Sequence, residues 1–290
     1  MNMTLNEFNK LSNQEATAEL EKCCVSKCWI QHMVENMPFA SADELILKTT
    51  AIWYDQCREL DWQAAFEGHP KIGDITSLME KYSTTKNWAS NEQSNIAGAD
   101  EKIVNALAKA NDNYLNKFGY IFIVSASGKS AKAMLRIINA RLDNTKEDEL
   151  HVAMGEQHKI TVIRLAKLID DLETEADLRS HITTHVLDTT TGIPGKGMQI
   201  TLNKIKDSIS KPITVGVTDN DGRIADLLPP GKSLEAGTYQ LIFNTADYYN
   251  NQQQDGFYPE VSIRFIVTNH DHYHVPLLLN PYGYTTYRGS

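Results

Sequence analysis

The 290-residue chain has no basic surplus, no long apolar run and few cysteines, and each lack removes a class of function. A net charge of -9, with acidic and basic residues intermixed, leaves no basic face for nucleic-acid phosphates or an anionic membrane. No charged start followed by an apolar run occurs at Met1-Asn2-Met3, and no stretch approaches bilayer-spanning length, so a cytoplasmic protein is expected. The four cysteines, Cys23, Cys24, Cys28 and Cys57, all fall in the first quarter and form no Cys-x-x-Cys pair. Cysteine in a helical stretch packs as a small hydrophobe, the reading adopted here, with a metal or redox site at Cys23, Cys24 and Cys28 as its rival. Ser127-Gly-Lys-Ser130 lacks the full spacing of a phosphate-binding loop. No electron-sink cofactor motif is visible, and none is expected.

The length suits two domains, and the periodicity changes part-way to match. From Thr4 to about Leu60 the pattern is helical, with capping-box spacing at Ser12/Glu15 and Ser41/Glu44 and a break at Pro38-Phe39. The stretch from Asn87 to Ser94 leads into a long helical pattern running to about Lys117, followed by an apolar run over 118–124 and a helix from Ala131 to Leu142, with Met134, Leu135, Ile138 and Leu142 on one face. The last helix runs from about Lys146 to Glu173, its apolar seam passing through Leu150, Ala153, Met154, Ile160, Ile163 and Leu168. The acidic stretch Asp170 to Leu178 has no apolar face beyond Leu172. From Ser180 the pattern alternates: 198–202, 213–217, 239–243 and 261–267 read as half-buried strands between turns such as Asp219-Asn-Asp-Gly222. The expectation is an all-α domain over 1–172, a linker at 173–179 and an all-β sandwich over 180–290, with one short helix at Thr245–Asn250.

Within the helical half, Gly68-His69-Pro70 is a loop whose glycine and proline fix the backbone while one imidazole projects. Glu92 starts a helix, where a carboxylate complements the helix dipole, and Arg164 lies at the edge of the last apolar seam, where its head must reach water or an anion. These marks, with Gln93, Tyr114-x-x-Lys-Phe-Gly119, Gly128-Lys-Ser130, Glu156 and Arg164-Leu165, resemble the decarboxylases of 2-oxo-4-hydroxy-4-carboxy-5-ureidoimidazoline (OHCU), an all-helical family. The resemblance implies that His69 is catalytic and that Glu92, Gln93 and Arg164 bind substrate, with Pro70, Ile121 and Ile123 beside them. The sequence departs from the family at Ala89, where a serine is usual and Ser90 stands one place along, and at Phe118-Gly-Tyr-Ile121, where a proline is common. Decarboxylation needs the substrate oriented and a proton supplied, since its own conjugated ring accepts the electrons.

In the other half, Ile182-Thr-Thr-His185-Val-Leu-Asp188 closes on Thr191-Gly-Ile-Pro194, and His272-Tyr-His274-Val-Pro-Leu leads to a Tyr287-Arg288-Gly289-Ser290 ending. With the Thr218-Asp-Asn-Asp-Gly-Arg223 turn, these pieces resemble the 5-hydroxyisourate hydrolases, the enzymatic branch of the transthyretin-like proteins. The resemblance implies catalytic roles for His185, Arg223, His274 and Ser290, and substrate contacts from Tyr287, Arg288 and Gly289; Asn280 stands where serine is usual. Opening a cyclic amide needs a water deprotonated, an oxyanion stabilised and a leaving nitrogen protonated, which suits two imidazoles and a guanidinium. A zinc site at His185, His272 and His274 is the metal alternative. The two resemblances together imply consecutive steps from the product of urate oxidation to allantoin, with 5-hydroxyisourate and OHCU as substrates. They also imply a homo-oligomer, tetrameric through the transthyretin-like half and dimerising through the decarboxylase half. A transthyretin-like ligand carrier with a helical interaction module is the rival reading.

Overall fold

The computed structural model describes residues 3–69, 93–126, 129–172, 180–224, 226–229 and 232–289, with only the backbone path for 93–100 and 171. Its N-terminal half is helical and its C-terminal half is made of β-sheet. The helices are α1 (Leu5–Phe8), α2 (Asn13–Cys23), α3 (Lys27–Glu35), α4 (Ala42–Ala51), α5 (Glu59–Glu67), α6 (Gln93–Phe118), α7 (Ala131–Leu142) and α8 (Lys146–Leu168). Short side-chain caps set their starts. Ser12 and Glu15 form the reciprocal box expected at α2, whereas at α4 Ser41 accepts from the Glu44 N–H and Glu44 reaches one residue further back, to the Ala40 N–H at 2.6 Å. Between α4 and α5 the chain winds a π-helical turn at Ile52–Gln56, which delivers Cys57 into the core.

Helix α8 is the axis of this half and departs from the expected pattern. It ends at Leu168, with a 3-10 turn at Asp170–Leu172 behind it. Its buried residues include Val162 and Leu165; half-buried Ile160 packs against the core as expected, whereas Ile163, also half-buried, does not join that cluster. Glu149, Glu156, Gln157, His158, Lys159 and Thr161 are buried as well. A helix packed on most sides loses the one-sided apolar stripe on which periodicity depends, and its polar groups must find partners inside the protein. They do so: Glu156 accepts from the Ser125 N–H at 2.7 Å and from Lys159 at 2.6 Å. On α7 the buried stripe is Met134, Ile137, Ile138 and Arg141, with Leu135 and Leu142 at its margin.

The β half has β1 (Ile182–Asp188), β2 (Ile193–Pro194), β3 (Gln199–Lys206), β4 (Ile209–Val217), β5 (Arg223–Ile224), β6 (Gly237–Phe243), β7 (Val261–Val267), β8 (Tyr273–His274), β9 (Leu277–Asn280) and β10 (Gly283–Thr286). One sheet runs β4-β3-β6-β7, all antiparallel. The other is centred on β1, which pairs antiparallel with β2 and β5 and parallel with β8 and β9. Ile182 and Val186 of β1 and Leu277 and Leu279 of β9 share one buried cluster with Ile200, Leu202, Leu241 and Phe243 of the first sheet. Each such side chain contributes about 1.5–3 kcal/mol by leaving water. The short helix α9 (Thr245–Asn250) follows β6, as expected. The halves touch where Val217 of β4 joins the buried cluster of α6 and α7, and where Lys129 bonds Asp226 at 3.0 Å. Among the described residues, no helix is long and apolar enough to cross a membrane.

Candidate active sites

In the helical half His69 follows the end of α5, its N–H bonded to the Phe66 carbonyl at 3.2 Å. Gly68 lets the chain pass Val25, because a Cβ there would lie 2.6 Å from Val25 Cγ2. The His69 ring is half-buried and its Nε2 lies 2.6 Å from Oε1 of Gln157 on α8. Burial lowers the His69 pKa below the ordinary imidazole value; the Gln157 bond opposes this and the nearby Arg164 charge adds to it. Arg164 lies two turns beyond Gln157, and its Nη1 donates to the Cys23 carbonyl at 3.2 Å. Ile123 is buried in the same core and Ile121 packs against it half-buried. Pro70, Ala89, Ser90 and Glu92 lie outside the described residues, and Gln93 is described only as the first residue of α6. Gln157 escaped the reading of the sequence, although its seven-residue spacing from Arg164 puts both on one helix face.

In the β half the expected residues come together on the outer face of the β1 sheet. Along β1 the core side takes Ile182, Thr184 and Val186, leaving Thr183, His185 and Leu187 on the opposite face, half-buried. His185 stands directly across from Arg223 of β5, and Thr183 across from His274 of β8. Paired residues share a face, so both imidazoles and the guanidinium lie on one side of the sheet. The Asp219–Arg223 turn makes this possible. Asp219 Oδ1 accepts the N–H groups of Asp221 and Arg223 at 2.9 Å each, and Gly222, at φ 69°, leaves room for the Val186 carbonyl that a Cβ would strike. Burial lowers the His185 pKa below the ordinary imidazole value, and the Arg223 charge adds to it.

Thr183 adds a contact that no motif announced. Its hydroxyl lies 2.9 Å from both His274 Nδ1 and His272 Nε2. A hydroxyl has one proton to give, so with both rings neutral one nitrogen accepts while the other donates. The alternation of Thr183 with His185 along β1 was the signal available. Near the chain end, the Gly289 N–H donates to the His274 carbonyl at 2.9 Å, and a Cβ on Gly289 would sit 2.5 Å from His274 Cδ2. The backbone at Gly289 therefore lies close to the ring. Arg288 stacks over the Tyr273 ring at 5.1 Å, Tyr287 is exposed, and Ser290 lies outside the described residues.

Two other features compete for attention. Cys57 Sγ lies 3.4 Å from Cys28 Sγ, and with Asp61 they form a group compact enough to hold a metal ion. The grouping is not the one expected, since Cys23 and Cys24 are outside it. Burial raises the Cys28 and Cys57 thiols above their ordinary pKa, so metal binding would have to displace both protons. A cavity of about 390 Å³ lies between the halves, lined by Tyr54, Lys159, Lys204 and Lys232 among others. It holds neither His69 nor His185.

The OHCU decarboxylase family matches residues 9–166, and the HIUase/Transthyretin family matches residues 182–289. The chain is a fusion of these two families. It is 32% identical to the uric acid degradation bifunctional protein TTL of Arabidopsis thaliana, over 94% of this chain and 98% of that protein. The 5-hydroxyisourate hydrolase of Salmonella dublin is 43% identical over 38% of this chain and 80% of its own length. The crystal structure of (S)-allantoin synthase is 23% identical, covers 99% of this chain and 100% of that one, and has a TM-score of 0.46. In the fusion, the histidine carried by Gly68-His69-Pro70 falls in the first matched stretch, and the His185, Arg223 and His274 group falls in the second.

Proposed function

We infer that this fusion is a bifunctional enzyme of urate degradation: its β half hydrolyses 5-hydroxyisourate to OHCU and its helical half decarboxylates OHCU to (S)-allantoin. The observation that supports the reading is the cross-strand pairing of His185 with Arg223 and of Thr183 with His274, which puts two imidazoles and a guanidinium on one sheet face. One imidazole takes a proton from water, whose oxygen adds to the ring carbonyl while Arg223 faces the developing charge. The C–N bond then breaks and the other imidazole protonates the leaving nitrogen. Ser290, Tyr287, Arg288 and Gly289 would help hold the water or the substrate, as the family resemblance implies.

In the helical half the carboxylate leaves as carbon dioxide, and its electron pair moves through the conjugated ring to a nitrogen that takes a proton from water. The neighbouring hydroxyl, now an enol, gives its proton to His69, which returns it to one face of the adjacent carbon. Glu92 and Gln93 hold the ureido and ring amides, Arg164 an anionic oxygen, and Pro70, Ile121 and Ile123 the ring faces. The domains run 1–172 and 180–290, joined by 173–179, the second closing as a transthyretin-like β-sandwich.

The hydrolase face stands open in one chain, and Ile193, Tyr282, Tyr284 and Tyr287 are exposed around the β1 sheet. We read these as covered by further copies, giving a cytoplasmic tetramer through the β half, with the helical halves pairing as dimers. The test is ultraviolet absorbance of freshly generated 5-hydroxyisourate with the full chain. Accelerated loss followed by optically active allantoin is expected; decay at the buffer rate would favour a ligand carrier instead.

A further inference from the structure

We propose that Gln157 is a positioning residue that fixes His69 as the Nε2–H tautomer and so leaves Nδ1 as the nitrogen that exchanges protons with substrate. The inference rests on the reading of His69 as the proton carrier of the decarboxylase half, and it deepens that reading.

Gln157 is about 1% exposed, so its amide orientation is set by protein partners alone. Thr161, one turn on, donates its hydroxyl proton to the Gln157 backbone carbonyl at 3.0 Å, the usual bond of a mid-helix threonine. Its oxygen then has only lone pairs left to offer. Gln157 Nε2 lies 3.3 Å from that oxygen and donates to it. The amide oxygen therefore faces His69, 2.6 Å from Nε2, and an amide oxygen can only accept. The proton must be on Nε2, and the lone pair of the neutral ring is on Nδ1.

This tautomer fits the step asked of the ring. A proton moved from an enol hydroxyl to the adjacent carbon requires a nitrogen that is first a base and then an acid, and His69 begins and ends neutral. Burial and the Arg164 charge keep it neutral beforehand, while Gln157 stabilises the transient cation through the Nε2–H without supplying a charge that would make it permanent. A carboxylate in the same place would hold the ring as imidazolium and remove the base.

The experiment uses the full chain with Gln157→Leu, Gln157→Glu and His69→Ala, measuring OHCU decarboxylation against pH together with ¹⁵N spectra of histidine-labelled protein. The His69 ring is assigned by its loss in His69→Ala. The wild type should show a neutral ring protonated at Nε2. Gln157→Leu should lower kcat by about 10- to 100-fold with little change in KM, part of the about 10²–10⁴-fold that general acid-base catalysis supplies. Gln157→Glu, which keeps the acceptor and the shape, should move the acidic limb of the pH profile upward by about one unit or more, as a carboxylate beside an imidazole does. A ring protonated at Nδ1, or both Gln157 variants matching wild type in kcat and pH limb, overturns the proposal. Full activity in His69→Ala would instead overturn the role of His69 itself, so the two failures are distinguishable.

Discussion

Glu149→Gln probes how the helical half is braced beneath its site. Arg141 and Glu149 are both fully buried, and they join α7 to α8. Arg141 Nε and Nη2 donate to Glu149 Oε1 at 2.8 and 2.5 Å, and Nη1 donates to the Ile123 carbonyl at 2.7 Å. Tyr114 also donates to Glu149, and Asn144 does so at 2.7 Å. The pair thus pins the 120–126 segment, which carries Ile121 and Ile123. Burial works against the guanidinium charge, but Glu149 and Tyr114 outweigh it and hold the Arg141 pKa above its ordinary value. With Glu149 neutralised, the arginine cannot shed its proton and is left as an unpaired buried cation. Removing one partner of a buried pair costs about 3–5 kcal/mol. With a urea slope of about 2 kcal/mol/M, that moves the helical unfolding midpoint down by about 2 M.

Arg141→Met should be milder, because a stranded carboxyl can take up a proton, which a guanidinium cannot. The assay is urea unfolding followed by circular dichroism at the helix band, at several pH values. A midpoint shift for Glu149→Gln below about 0.5 M, or about 1 kcal/mol at that slope, would refute the reasoning. So would equal, pH-independent losses in the two variants.

Further outcomes follow from the two sites. Gly289→Ala should sharply reduce hydrolase turnover without lowering the unfolding midpoint, because the added methyl meets the His274 ring at 2.5 Å; unaltered turnover in the absorbance assay would contradict it. Gly68→Ala should impair decarboxylation alone, since the methyl meets Val25 at 2.6 Å and must shift the turn carrying His69. Both histidines have pKa values lowered from 6.5 by burial, so the neutral bases persist on acidification and the acidic limb of each kcat/KM profile should lie below that value. A limb above 6.5 in either profile would count against the base in that half.

What the sequence disclosed depended on how local the determinant was. The span of α7 was legible because Ser130 caps it and Leu142 ends its apolar run within one stretch. That Arg141 belongs to its buried stripe was not legible, since its partner sits across a turn on α8 and a charged residue near a helix end reads as solvated. Four strands of the β half showed by alternation, whereas β1 reads Ile-Thr-Thr-His-Val-Leu-Asp, which marks a strand but not the face that carries His185. The parallel pairing of β1 with β8 and β9 joins segments about ninety residues apart and leaves no mark in either one. The Cys28–Cys57 contact was hidden for a similar reason, as it depends on the π-helical turn before Cys57.

The most direct measurement follows one sample of freshly made 5-hydroxyisourate through both steps with two single variants of the full chain, His185→Asn and His69→Ala. Absorbance reports the first step and circular dichroism the handedness of the allantoin formed. The account predicts that His185→Asn stalls the first decay while still decarboxylating added OHCU to (S)-allantoin. His69→Ala should hydrolyse at the full rate but release racemic allantoin at the uncatalysed rate. Either substitution impairing the opposite step, or both variants yielding (S)-allantoin at the wild-type rate, would contradict it.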